Sequence, residues 1–175
     1  PSSAWMMYRQ DFERIGGFNS DLMPEDYDLA FRMLKYKLRV IRLNQVIHHW
    51  RDSETRVSRN EEKYFPIAYL PLKVHYFLEL HRDDSKPLVL WGAGKKGKLV
   101  AKELLKRKVS FTWITNNEKK MGRDIYGVLI QSEDGQVFEN AQTLISLSSP
   151  IEKTEVQVQL NHEELVNNRD YYWFF

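Results

Sequence analysis

The stretch LVLWGAGKKG at residues 88–97 decides how the chain folds. Its first four residues form an apolar run of strand length. Gly92, Gly94 and Gly97 follow in G-x-G-x-x-G spacing, ahead of a helical segment over 98–108. A strand that enters a helix through such a turn opens a parallel α/β unit. The first glycine makes the tight turn, the second admits a pyrophosphate and the third lets the helix pack closely on the strand. Lys95, Lys96 and Lys98 stand at the positive end of the helix dipole, where lysine is unfavourable unless an anion is nearby. Gly92, Gly94, Lys95, Lys96 and Gly97 are therefore the candidate cofactor-binding residues.

Downstream, apolar runs at 109–115, 127–130, 143–147 and 171–175 read as strands, and Pro150 starts a helix. This alternation predicts a small parallel sheet over 86–175. The second strand ends in Thr115-Asn116-Asn117, where an NAD site expects an acidic residue. Asparagine can accept from a ribose but brings no charge. Lys119 and Lys120 can meet a 2′-phosphate or lie on the surface. NAD(P) or another nucleotide is the cofactor class to test, and no group in this region suits redox catalysis. GAGKKG followed by K-x-G at 120–122 and I-x-G at 125–127 resembles the Rossmann-like modules attached to bacterial sugar-modifying enzymes.

Upstream, 61–85 reads as a helical connector, bent at Pro66 and Pro71 and closed by the polar boundary 83–87. Its rings (Tyr64, Phe65, Tyr69, Tyr76, Phe77) can rest on a membrane or pack between the two pieces, and packing is favoured because the segment is not strongly basic.

Residues 1–60 hold a helical turn (11–15) ending at Gly16-Gly17, then a helix opened by Pro24 at its first position. Tyr27, Ala30, Phe31 and Leu34 make its core-facing stripe, with Asp28 and Arg32 paired on the outer side. Short strands are expected at 39–43 and 46–50, then a polar loop at 52–59. Glu25 and Asp26 sit in the helix's first turn, a place where acids also serve stability alone. IGGF at 15–18, PEDYDLAFR at 24–32 and HHWRD at 48–52 occur in the order that resembles the second half of a family-2 (GT-A fold) glycosyltransferase domain.

That resemblance implies Asp26 as general base, with Glu25 beside it contacting the acceptor. A carboxylate suits this role, because the acceptor hydroxyl must lose its proton as it attacks the anomeric carbon. Gly16 and Gly17 would let the backbone approach a substrate, or they are an ordinary helix C-cap. Arg51 and Arg56 would hold the donor pyrophosphate, for which the planar guanidinium is suited. His48 is the metal-ligand candidate. Many relatives carry Arg-x-His here, whereas this chain has Ser53 at the histidine position. The donor would be a nucleotide sugar and the acceptor a glycan or lipid-linked glycan of a bacterial surface polysaccharide. A divalent metal (Mn or Mg) would be held mainly by the first half of such a domain, with its Asp-x-Asp motif, which these residues lack. This chain alone is then expected to be inactive.

The fold class expected for the 175 residues is thus α/β: a partial GT-A region (1–60) of helices and short strands, a connector (61–85) and a Rossmann-like sheet (86–175). Hydrophobic residues at 42% and aromatics at 13% provide a core and exclude wholesale disorder. The lack of cysteine excludes disulfides and thiolate chemistry. No signal peptide is visible, and the apolar stretch 66–80 is too short to span a bilayer. A cytoplasmic chain, with peripheral contact at the inner membrane face, is expected. Net charge is +2, and the lysines of 95–108 read as a solvated face rather than a nucleic-acid site. Pro1 in place of an initiator methionine suggests a fragment or a processed chain. Two other functional classes compete: a non-catalytic nucleotide-binding or interaction module, and an NAD(P)-dependent sugar-modifying enzyme.

Overall fold

Strand β1 (Leu88–Trp91) is buried at all four positions, as a strand covered on both faces must be. It lies inside a six-stranded sheet with β2 (Thr112–Thr115), β3 (Asp124–Ile125), β4 (Val128–Ser132), β5 (Gln142–Ile145) and β6 (Tyr171–Trp173). The order is β3-β4-β2-β1-β5-β6, parallel throughout except for the antiparallel β3–β4 pair. From β1 the chain runs outward to β2 and β4, then returns to the other side of β1 to lay down β5 and β6. The direction of winding therefore reverses between β1 and β5. This is a mixed α/β architecture with a mostly parallel sheet.

The computed structural model describes residues 4–19, 24–49, 51, 53–55, 60, 67–133 and 135–175. The chain divides into two compact units, Pro1–Leu72 and Lys73–Phe175. The helices are α1 (Arg9–Arg14), α2 (Glu25–Lys35), α3 (Leu70–Leu80), which crosses the division, α4 (Lys95–Lys106) and α5 (Pro150–His162).

In the second unit Val89, Trp91, Ile114, Phe138, Ile145, Val156, Leu160 and Tyr171 form one core. Two buried tryptophans brace the glycine turn. Trp113 Nε1 donates to the Gly92 carbonyl at 2.9 Å, and Trp91 Nε1 donates to Asn116 Oδ1 at 2.6 Å. Phe77 of the connector meets the Tyr172 and Phe174 rings edge-on at 5.0 and 5.9 Å. Gln142, 3% exposed, ties the end of the connector to β5. Its Oε1 accepts from the Asp83 amide at 2.8 Å, and its Nε2 donates to the His81 carbonyl at 2.7 Å. Tyr64 and Phe65 lie outside the described residues.

Several expectations are revised. The helix expected from Lys98 begins at Lys95, so Lys95, Lys96 and Gly97 form its first turn. A hairpin absent from the sequence reading, β3–β4, turns at Tyr126 and Gly127, both with positive φ as a tight two-residue turn demands. In α2 the stripe Tyr27, Ala30, Phe31, Leu34 is not the core face. Leu29 and Met33 meet Ile15 there, while Tyr27 and Leu34 are exposed. Asp28, expected outside with Arg32, is 1% exposed. No strand forms over the described residues 39–49, and Val40, Ile41, Leu43, Val46 and Ile47 are exposed. Strand-like patterning cannot make a strand without a neighbour to complete the ladder.

Candidate functional site

Two constellations carry the candidate chemistry, one in each unit. In the first unit α1 ends in a Schellman turn: Gly16 N–H donates to Glu13 O at 3.0 Å and Gly17 N–H to Phe12 O at 2.9 Å. Both glycines have positive φ, +87° and +62°. The C-cap role thus accounts for them and uses both amides. Arg32 of α2 reaches back to this turn, donating from Nη1 to Ile15 O and from Nη2 to Gly17 O at 2.6 Å. The same guanidinium holds Asp28, Nε to Oδ2 at 2.8 Å. The buried Asp28–Arg32 pair therefore fixes the glycine turn to the helix. A Cβ on either glycine would meet the protein itself, Arg32 Nη1 at 3.3 Å from Gly16 and the Phe12 ring at 3.2 Å from Gly17.

Three acids crowd the first turn of α2, and they have separate fates. Asp28 is committed to Arg32. Asp26 is half-buried, with no hydrogen bond or ion pair to any described residue. Glu25 is half-buried too, and its Oε2 is shielded from solvent with no partner. Arg51, His48 and His49 are exposed, and Arg56 lies outside the described residues. Among the described residues no three His, Asp or Glu side chains converge as a metal site. No helix among them is long and apolar enough to cross a membrane.

In the second unit a crevice opens at the carboxyl ends of β1, β2 and β5, where the winding reverses. Open parallel sheets take their ligands at this place, because diverging connections leave a gap there. Its walls are the glycine turn (Ala93, Gly94), the end of β2 (Thr115 to Asn117) with Lys120, the β5–α5 loop (Ser146 to Ser148), and Glu152, Glu155 and Val156 of α5. The enclosed volume is about 100 Å³, within a wider mouth of about 550 Å³ that includes open solvent.

The three glycines do different work. A Cβ on Gly97 would lie 1.8 Å from the Gly92 carbonyl oxygen, and one on Gly92 (φ +116°) would lie 2.7 Å from the Ser146 carbonyl oxygen. Gly94 has nothing within 4 Å of its would-be Cβ. The first and third glycines are thus required by packing, whereas Gly94 borders free space in the crevice.

The crevice includes Lys120 but neither Lys95 nor Lys96. Lys120 Nζ donates to Ala93 O at 3.0 Å, with two further protons to give. Lys95 is exposed, and Lys96 Nζ lies 4.8 Å from the Phe175 ring centroid. Lys73, which donates to Phe174 O at 2.9 Å, is held below the usual lysine range by burial first and by the Lys96 charge second. Sequence reasoning did not find Ser146, Ser148, Glu152 or Glu155. Only the strand order, which sets β5 beside β1, brings them to the turn.

Comparison of the chain with protein-family models, with curated proteins and with solved structures gave no match.

Proposed function

We propose that residues 1–60 are part of a family-2, GT-A-type glycosyltransferase catalytic domain and that Asp26 is its general base. The observation that carries this reading is the division of labour at the start of α2. Asp28 is spent on Arg32 and the glycine turn, while Asp26 is half-buried and has no partner among the described residues. In the reaction the acceptor hydroxyl oxygen forms a bond to the anomeric carbon as its proton passes to the Asp26 carboxylate. The bond from that carbon to the nucleoside diphosphate breaks, and the diphosphate leaves with the electron pair. Glu25 stands next to the acceptor, and Arg51 supplies a guanidinium for the pyrophosphate. The acceptor would be a glycan or lipid-linked glycan. The donor's metal falls to residues outside this chain, and no step here runs through it.

The test compares Asp26→Asn with Asp28→Asn in the full-length protein. Asp26→Asn should lower transfer by about 10²–10⁴-fold, with thermal stability unchanged. Asp28→Asn should instead lower stability, because it weakens a buried ion pair. Near-parental turnover by Asp26→Asn removes it from the role.

A second reading is favoured by the crevice. The Lys73–Phe175 unit is a ligand-binding module for a phosphate-bearing molecule, independent of catalysis in the first unit. Free space at Gly94, the start of α4 and Lys120 support an anion there.

A further inference from the structure

We propose that the crevice takes a sugar monophosphate, rather than a dinucleotide, with its phosphate at Gly94, Lys120 and Ser146 and its hydroxyls on Glu152 and Glu155. The inference rests on the second reading above and names its ligand.

The phosphate end is argued first. The start of α4 at Gly94 presents backbone amides, and no side chain caps it. An independent observation points to a ligand at the same place. Ser146, 2% exposed, lines the crevice, and its Oγ has no hydrogen-bond partner. A buried hydroxyl without a partner is costly, and a phosphate oxygen would satisfy it.

The end of β2 argues against a dinucleotide. A ribose diol is held best by a carboxylate there, yet the wall offers only two asparagine carbonyl oxygens, each of which already accepts one hydrogen bond. Asn116 Oδ1 accepts from Trp91 Nε1, and Asn117 Oδ1 caps the Lys119 amide at 3.1 Å. What remains at that wall is mostly donors, the two asparagine NH₂ groups and the Lys120 ammonium, against one free lone pair on each carbonyl oxygen.

The other wall supplies the acceptors. Glu152 and Glu155 face the crevice, and their carboxylates have no hydrogen bond or ion pair to any described residue. They can accept from hydroxyls, the groups that a sugar carries besides its phosphate.

Isothermal titration of the chain tests this with inorganic phosphate, unphosphorylated glucose, the monophosphates of glucose, galactose and mannose, choline phosphate, and NAD⁺ and NADP⁺. At least one hexose monophosphate should bind about tenfold tighter than inorganic phosphate, and glucose should not bind. Ser146→Ala and Lys120→Ala should each weaken the hexose monophosphate by about tenfold. Glu155→Gln should weaken the hexose monophosphate while sparing inorganic phosphate. Ser146→Ala removes one oxygen only, so it keeps the test readable if Lys120→Ala disturbs the turn. Tightest binding of NAD⁺, NADP⁺ or choline phosphate overturns the sugar assignment and leaves the phosphate-binding reading standing. Equal affinity for inorganic phosphate and every hexose monophosphate also overturns it. No binding of any phosphate compound overturns both.

Discussion

Gly97→Ala and Gly94→Ala should separate the packing glycine from the glycine that borders the crevice. At Gly97 the new methyl would stand 1.8 Å from the Gly92 carbonyl oxygen and 2.7 Å from its carbon, against an ordinary contact of 3.4 Å or more. The obstacle is backbone at the end of β1, a strand hydrogen-bonded on both sides, so α4 must withdraw by more than an ångström. Extra methylenes in a packed core cost about 1–3 kcal/mol, and a backbone clash of this depth should cost about 4 kcal/mol or more. At about 4–8 °C per kcal/mol for a domain of this size, the second unit should melt at least about 15 °C lower. At Gly94 the backbone (φ −76°, ψ −169°) suits alanine, and nothing lies within 4 Å. The loss is limited to a weaker N-cap, about 0.5–1 kcal/mol, while the methyl projects where the ligand would sit. Thermal and urea unfolding followed by circular dichroism reads both variants. A Gly97→Ala protein melting within about 5 °C of the parent, or equal losses in the two variants, would refute this division of roles.

Gln142→Ala strands the Asp83 amide and the His81 carbonyl, and should cost about 2–3 kcal/mol in urea unfolding. Asp170 should contribute to acid stability. The Arg169 guanidinium first, and then the Val166 amide, hold its carboxyl below the usual aspartate range. A folded-state pKa below the unfolded one adds stability that is present above about pH 4 and lost as pH falls through the folded value. Asp170→Asn should flatten that part of the stability–pH curve, and an unchanged slope would show that the carboxylate contributes nothing.

How much of this was legible in the sequence follows from how local each feature is. The β1–turn–α4 unit was readable because strand, glycines and helix are contiguous, although the helix starts three residues early and takes Lys95 and Lys96 into its first turn. The two-residue β3 carries no periodicity, so its hairpin left only the turn residues Tyr126 and Gly127 as a signal. In α2, apolar spacing suggested the wrong face because the decisive residue is charged: Arg32 draws Asp28 inward to hold the glycine turn. Which lysine reaches the crevice could not be chosen by rank along the chain. Lys96 lies over Phe175, while Lys120, from the turn after β2, reaches Ala93. Ser146, Glu152 and Glu155 became visible only once β5 was known to pair with β1, a contact more than fifty residues apart in sequence.

The most direct measurement is an amide chemical-shift map of the ¹⁵N-labelled chain titrated with a hexose monophosphate. Perturbations centred on Gly94, Asn116, Lys120 and Ser146 are the predicted result. Shifts centred elsewhere in the chain, or none at millimolar ligand, would contradict the assignment of the crevice as the ligand site.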